Sequence, residues 1–571
     1  MIHGGSDADG TDLGAGPLLG LLAAPGVLQC LLMVEKYSSL LDWIRGRQGV
    51  DLLVISAPEK YMFAAISIAV TGIVVALKWD RILPDAQDYI NLAPLPVRPR
   101  TIFAANVTAM GIAACVIALT VNSMPLLLFP AMVSSAAADG SIGTLEFFAV
   151  HALCMLMASV FAFAAALAVL GAASAILPAR VCAAWAGPIR AVLLIACTAL
   201  LLGALQAGPM MRMIVATPGS YVRWLPPMWF TGLYQTMQDR GPVAIARLAP
   251  LAWQSLLAAI LMLTVCYGVS YARRFRATVE ISAPASSRPL ATVLLWLLDH
   301  LLLARNSFDR AVCHFAFRGL LRLDEHRLAL LVPFGLGWLL AAQYIAVASG
   351  RTGATAASIH SAMLAAPLIP AYLVVLGVRI GIDMPASVPA NWMFRHILHA
   401  DSCPVRSALR HLAMTIATLF AVLPSLAAWA YAIGPGTALL QASCMLVLIL
   451  LHAEVVFRKH SRLPFTCALP PFREKLPATI GVHFLGMLLF VSGGGALQTW
   501  IGRSPIHLFY VVAGAAALLW WNESELRRDR EDGDPNTVLS FEHHDDGALA
   551  TISLTDAAPA SRAPWRPGNQ Q

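Results

Sequence analysis

Residues 147–177 read FFAVHALCMLMASVFAFAAALAVLGAASAIL, with no Asp, Glu, Lys or Arg among them. A helix needs about 20 apolar residues to cross the roughly 30 Å hydrocarbon core of a bilayer, and this run exceeds that length. Buried strands are far shorter, so the stretch reads as a transmembrane helix. The whole chain shares its composition: 58% of the 571 residues are apolar and 12% are charged, with a mean hydropathy of +0.69. A soluble domain of ordinary size cannot hide that much apolar surface, so function belongs at or across a bilayer. No nucleic-acid partner is expected.

Similar windows lie near 17–34, 61–78, 102–130, 188–206 and 250–271, and again near 328–348, 361–380, 409–433, 436–457, 478–500 and 505–521. With 147–177 they make twelve. The expected fold is all-α: a polytopic membrane protein with about twelve transmembrane helices in two six-helix halves, 1–275 and 328–525. A cytoplasmic amphipathic linker, 276–327, joins them, and a flexible cytoplasmic tail covers 526–571. Pro25 and Gly26 interrupt the first window, which either spans or re-enters.

Basic residues near span ends are retained in the cytoplasm far more often than they are translocated. Arg81, Arg98 and Arg100 follow the second span, Arg180 and Arg190 the fourth, and Arg273, Arg274 and Arg276 the sixth. Arg379, Arg395, Arg406 and Arg410 follow the eighth, and Arg458, Lys459, Arg462, Arg473 and Lys475 the tenth. Loop 131–145 has no basic residue, while 349–360 and 501–504 carry only Arg351 and Arg503. Both termini are thus expected in the cytoplasm. Loop 35–60 runs against the pattern with Lys36, Arg45, Arg47 and Lys60, balanced by Glu35, Asp42, Asp51 and Glu59. Residues 1–16 hold three aspartates and no Lys or Arg, unlike a secretory signal. Arginine greatly outnumbers lysine, a bias that points to a GC-rich bacterial genome and hence to a bacterial cytoplasmic (inner) membrane. No C-x-x-C pair or zinc-type spacing occurs among the ten cysteines.

The halves read as a diverged tandem repeat. The second span ends VVALK (74–78), followed by Pro84, Tyr89 and Pro96-Val97-Arg98. The eighth ends VVLGVR (374–379), followed by Pro385, Trp392 and Pro404-Val405-Arg406, an offset of about 300 residues.

The stretch Trp79–Asp85, then Asp88-Tyr89, then Pro94–Phe103 resembles the loop between helices two and three of type-two ABC exporter permeases. The blocks LPPMWF (225–230), PANWMFR (389–395) and LPFTC (463–467) resemble large bacterial multi-pass membrane proteins labelled as permeases of that type. The likeness extends from about residue 60 to 480. It implies a membrane-spanning exporter subunit, with a short cytoplasmic helix touching the ATPase and re-entrant helices between the last two spans on the outer side. The implied ATPase-coupling residues are Asp85, Asp88, Pro96, Arg98 and Arg100 in the first half, and Trp392, Arg395, Pro404 and Arg406 in the second. The implied outer re-entrant segment includes Trp224, Pro226, Pro227 and Trp229 within 207–249, whereas the second half has only a turn at 501–504. Type-two permeases usually have six spans and dimerise; two six-span halves would let one chain form a pore, with a homodimer as the other arrangement.

A phosphate-cradling loop needs G-x-x-x-x-G-K-[ST], and every lysine here follows Glu, Leu or Arg. ATP hydrolysis is therefore expected from a separate ATP-binding-cassette ATPase subunit, and this chain is expected to be neither an enzyme nor the holder of a cofactor or metal. In the linker, 290–304 and 307–325 have helical periodicity, with Phe308, Val312, Phe315 and Leu323 on one face and Asp309, Arg310, Arg318 and Arg322 elsewhere. This suits either a helix on the inner leaflet or an elbow against the ATPase. Charged groups are scarce in the spans, unlike in ion-coupled carriers. Asn106, Asn122, Gln206 and Gln254 read as interhelical hydrogen-bond formers, His483 as a packing histidine, and Gly493–Gly495 as a close helix contact. Glu146, His151 and Glu454 are expected within reach of water or headgroups. Two alternatives stay open: a polytopic transferase acting on lipid-linked substrate, for which Asp42 and Asp51 supply no paired motif, and a non-transporting accessory protein. His543-His544-Asp545-Asp546 reads as solvated tail.

Overall fold

The computed structural model describes residues 15–44, 55–82, 96–136, 143–216, 220–239, 243–277, 307–350, 353–385, 405–458, 460, 462–466 and 476–531. Asp85, Asp88, Trp392, Arg395, Pro404, the stretch 290–304 and the tail beyond 531 lie outside these residues.

Among the described residues every regular element is a helix. They are α1 (Ala15–Ile44), α2 (Ala57–Ile82), α3 (Pro99–Ala136), α4 (Thr144–Ile176), α5 (Ala179–Ala204), α6 (Ala207–Ala216), a 3-10 turn (Ser220–Trp224), α7 (Pro226–Met237), one turn at Val243–Ala246, and α8 (Ala249–Ala277). The chain continues with α9 (Ser307–Arg322), α10 (Asp324–Ser349), α11 (Ala356–Ala365), α12 (Leu368–Asp383), α13 (Val405–Ala417), a π turn (Thr418–Val422), α14 (Leu423–Ile433), α15 (Pro435–Phe457), α16 (Leu476–Ile501) and α17 (Ile506–Glu531). Only a helix or a closed barrel satisfies its own backbone in hydrocarbon, which accounts for this uniformity.

Ten helical segments among the described residues are long and apolar enough to cross a membrane, and they coincide with ten of the expected windows. The chain is an all-α multi-pass membrane protein. The other two windows, 17–34 and 505–521, are helical within α1 and α17 but are not among the ten. Glu35-Lys36 closes the apolar run of α1, and Asn522-Glu523 that of α17.

The most enclosed of the ten are α2 and the pair α11–α12. Around α2 pack α3, α4, α5 and α7; around α12 pack α10, α13, α15 and α16. Helix α4 also meets α3 and α8, and α15 also meets α14, α16 and α17. Buried apolar side chains form one large core between Cys30 and Leu256 and another between Val312 and Val491, with a smaller third around Val75, Phe163 and Tyr267. Helices α5 and α10 touch across the boundary between these stretches of chain. A Cβ at Gly335 would overlap the Ile195 side chain there, so the glycine leaves room for that side chain between the two helices.

Two prolines shape the third helix of each stretch. In α3, Pro125 leaves the Val121 carbonyl without its intrahelical donor, and α1 passes so close that a Cβ on Gly26 would lie 2.8 Å from the Pro125 ring and 3.1 Å from that carbonyl. Pro25 and Gly26 therefore do not break α1, which continues as one helix across them. Further along, Pro424 frees the Phe420 carbonyl, the backbone widens into the π turn just before it, and the Trp338 indole of α10 donates to that carbonyl at 3.2 Å.

The amphipathic helix α9 is part of the second core. Val312, Cys313, Ala316, Phe317 and Leu320 are buried against α13, α10 and α12, and Cys313 donates to the Ala408 carbonyl at 3.0 Å. The buried face differs from the expected one: Asp309 lies on it, while Phe315 is 39% exposed. The four-residue spacing assigned Asp309 to the polar side by residue type, but its carboxylate faces α13, which carries Arg410 and His411.

Candidate functional site

The coupling residues expected at the basic end of the bundle divide sharply. Pro96 and Arg98 are exposed, and the Arg98 carbonyl accepts the Thr101 amide at 2.9 Å, opening α3. Arg100 falls in the first turn of that helix. Arg406, by contrast, opens α13 with its side chain only 13% exposed and ion-paired to Glu454 of α15. Arg410, one turn on, donates to the second Glu454 oxygen at 2.8 Å, and Asn522 of α17 donates to the first. Glu523 stands 3.8 Å from Arg406. One carboxylate thus ties α13, α15 and α17 together. Expected within reach of water, Glu454 is instead 5% exposed. It escapes a sequence reading because its partners lie 44 to 68 residues away along the chain.

Next to this clasp the chain after α15 folds back. Phe465, with a positive φ of 66°, donates its amide to the Ile382 carbonyl at the end of α12. Its ring stands edge-on to His326 at 4.9 Å and covers Gly319 of α9, where any Cβ would collide with it. Arg379 pairs with Asp383 at 2.8 Å and donates to His460. Burial, and then the Arg379 charge, push the His460 imidazole down to about 3, so it stays neutral and able to accept. Residues 463–466 of the block LPFTC therefore form a strap across the ends of α9, α10 and α12.

At the opposite end of the other core stands a second polar cluster. The segment 207–249, expected on the outer side, contains α6, a 3-10 turn, α7 and one further turn between α5 and α8. Pro226 and Pro227 begin α7, where a missing amide costs nothing. Met228, Phe230 and Tyr234 are fully buried among α2, α4 and α8. Trp224 is 83% exposed, and the Trp229 indole donates to the Arg223 carbonyl at 2.8 Å. Lys60, expected in an outer loop, lies inside α2 at 1% exposure. Its ammonium donates to Gln238 Oε1 at 2.6 Å and sits 4.7 Å from the Tyr234 ring centroid. His151, expected near water, is fully buried against Tyr234, Phe63 and Phe129. Lys36 of α1 closes the cluster on Glu59. Lysine placed immediately before a long apolar run was the available signal for Lys60, since the helix begins earlier than its hydropathy does.

The interior polar residues split as well. Asn122 accepts from Ser67 at 2.6 Å and donates to Ser159 at 2.9 Å, joining α3, α2 and α4. Gln254 is exposed. His483 stands 3.4 Å from the Tyr372 hydroxyl, and Tyr372 stacks on His452 at 4.1 Å. Gly494 and Gly495 admit Leu368 and Ala365 at distances a side chain would forbid. Arg190 is buried within α5 and donates to the Ala76 carbonyl at 3.0 Å, where an inward-facing loop residue was expected.

No family model, curated protein or solved structure matches this chain.

Proposed function

We propose that this chain is the membrane-spanning permease subunit of an ATP-binding-cassette exporter, energised by a separate ATPase chain. The observation that carries the reading is the folded segment between α5 and α8: short helices with a buried α7, entered from the end opposite the basic loops. The resemblance to type-two permeases implies such an element at that place in a six-span unit. Further support comes from the packing of the third, fourth and fifth spans of each stretch around α2 and around α12 alike, as a diverged repeat of six plus six helices requires. In this reading both termini and the basic loops face the bacterial cytoplasm, and α1 and α17 complete the count of twelve spans.

Arg98 is the better candidate for contact with the ATPase, because it is exposed, whereas Arg406 is committed to Glu454. Purification of the tagged chain in mild detergent should bring down a protein carrying a phosphate-binding loop. Arg98→Glu should weaken that association while insertion stays normal. Absence of any such ATPase from the purified complex, together with no nucleotide-dependent transport in vesicles, would remove the exporter reading.

A further inference from the structure

A groove of about 740 Å³ opens beside the start of α8, between it and α7. Its wall combines Arg247 and Gln254 with Leu233, Thr236, Pro250 and Trp253. That volume is in the range of small-molecule sites, and the pairing of one cation with aromatic and aliphatic surface suits a ligand with two characters. Arg247 is exposed, and among the described residues no carboxylate pairs with it. It is also one of four arginines, with Arg212, Arg223 and Arg240, in a segment that the alternation of basic loops places on the translocated side. Membrane insertion disfavours basic residues there, so Arg247 is retained against a cost.

Below the groove, Trp253, Leu257, Leu261 and Val265 recur every four residues along α8 with exposures of 46%, 64%, 66% and 56%. The stripe starts at an indole, the side chain that favours the headgroup level, and continues down a helix long enough to span. A soluble anion would use the guanidinium and leave the stripe idle; a neutral lipid would do the reverse. We propose that the groove holds the headgroup of an anionic phospholipid, with Arg247 taking its phosphate, Gln254 its polar neck and the Trp253–Val265 stripe its acyl chain. Nothing in this assignment depends on an ATPase.

The full chain, purified in neutral detergent, is offered phosphatidylglycerol, phosphatidylcholine with identical chains, or inorganic phosphate, and retained molecules are counted by native mass spectrometry. The wild type should keep phosphatidylglycerol over phosphatidylcholine by about fivefold, the scale of one basic residue near an anionic lipid surface. Arg247→Gln should retain one phosphatidylglycerol fewer, Arg247→Lys should keep it, and Trp253→Ala should weaken both lipids. A melting curve for each variant shows that the fold is unchanged. Equal retention of the two lipids by the wild type overturns the proposal, as does an Arg247→Gln count identical to wild type. Displacement of the lipid by inorganic phosphate alone also overturns it and assigns a free-anion site instead.

Discussion

The third, fourth and fifth spans of each stretch pack around α2 and around α12 alike, with α7 added in one and α10 in the other, yet the largest buried charge cluster of each lies at the opposite end from the other's. Around α12 the charges sit at the basic end, and they are opposite and mutual: Glu454 against Arg406 and Arg410. Around α2, Arg190 caps backbone carbonyls at the basic end, while Glu59 and Lys60 are buried at the far end, with Lys60 against an amide oxygen and an aromatic face. A paired carboxylate fastens three helices and punishes any loss. One hydrogen bond to an amide oxygen and one cation–π contact fasten less and are easier to replace. The same arrangement of helices can thus be closed firmly at one end of one core and lightly at the other end of the other.

Glu454→Ala should have the largest effect, since it removes the buried carboxylate that two arginines share; about 3–5 kcal/mol is the usual cost of such a loss. Thermal denaturation in detergent should show a large drop in midpoint. A midpoint near wild type would mean that the clasp carries no stability and that the contrast between the two ends is false.

Next come the two proline-freed carbonyls. Gly26→Ala forces a methyl against Pro125 and the Val121 carbonyl, an overpacking worth about 1–3 kcal/mol. Trp338→Phe keeps most of the ring but removes the donor to Phe420, worth about 1 kcal/mol. The same melting assay should rank them in that order. Equal or reversed losses would show that the close approach of α1 is not what fixes its position.

Lys60→Met should change stability least, within about 1 kcal/mol in either direction, because the thioether keeps the stem's packing and relieves the buried ammonium of its desolvation. A loss as large as that of Glu454→Ala would make the two ends equivalent and defeat the contrast outright.

Much of this architecture was legible in the sequence, because hydropathy over windows of about 19 residues reports the membrane directly. Ten windows emerged as helices with ends shifted by only a few residues, and Asn122 and Gly494 do what their residue types suggested. What escaped was everything set by partners distant along the chain. Arg406 looked like a surface charge because arginine beside a span usually is one; its burial follows from Glu454, which arrives on another helix. Lys60 looked like a loop residue because a hydropathy window begins where charge ends, whereas a helix with a buried cation begins before it. Asp309 looked exposed by type, and only the arrival of α13 beside it shows otherwise.

The seating of α9 also decides where the polypeptide can be severed. The sequence alone divides it at residue 327, after the amphipathic linker and before the next apolar run. That cut would take Cys313, Phe317 and Leu320 out of the core they help to fill and would leave Phe465 with nothing to cover at Gly319. Coexpressed fragments should reassemble only when the break falls between 278 and 306, so that the helix travels with the half that follows it.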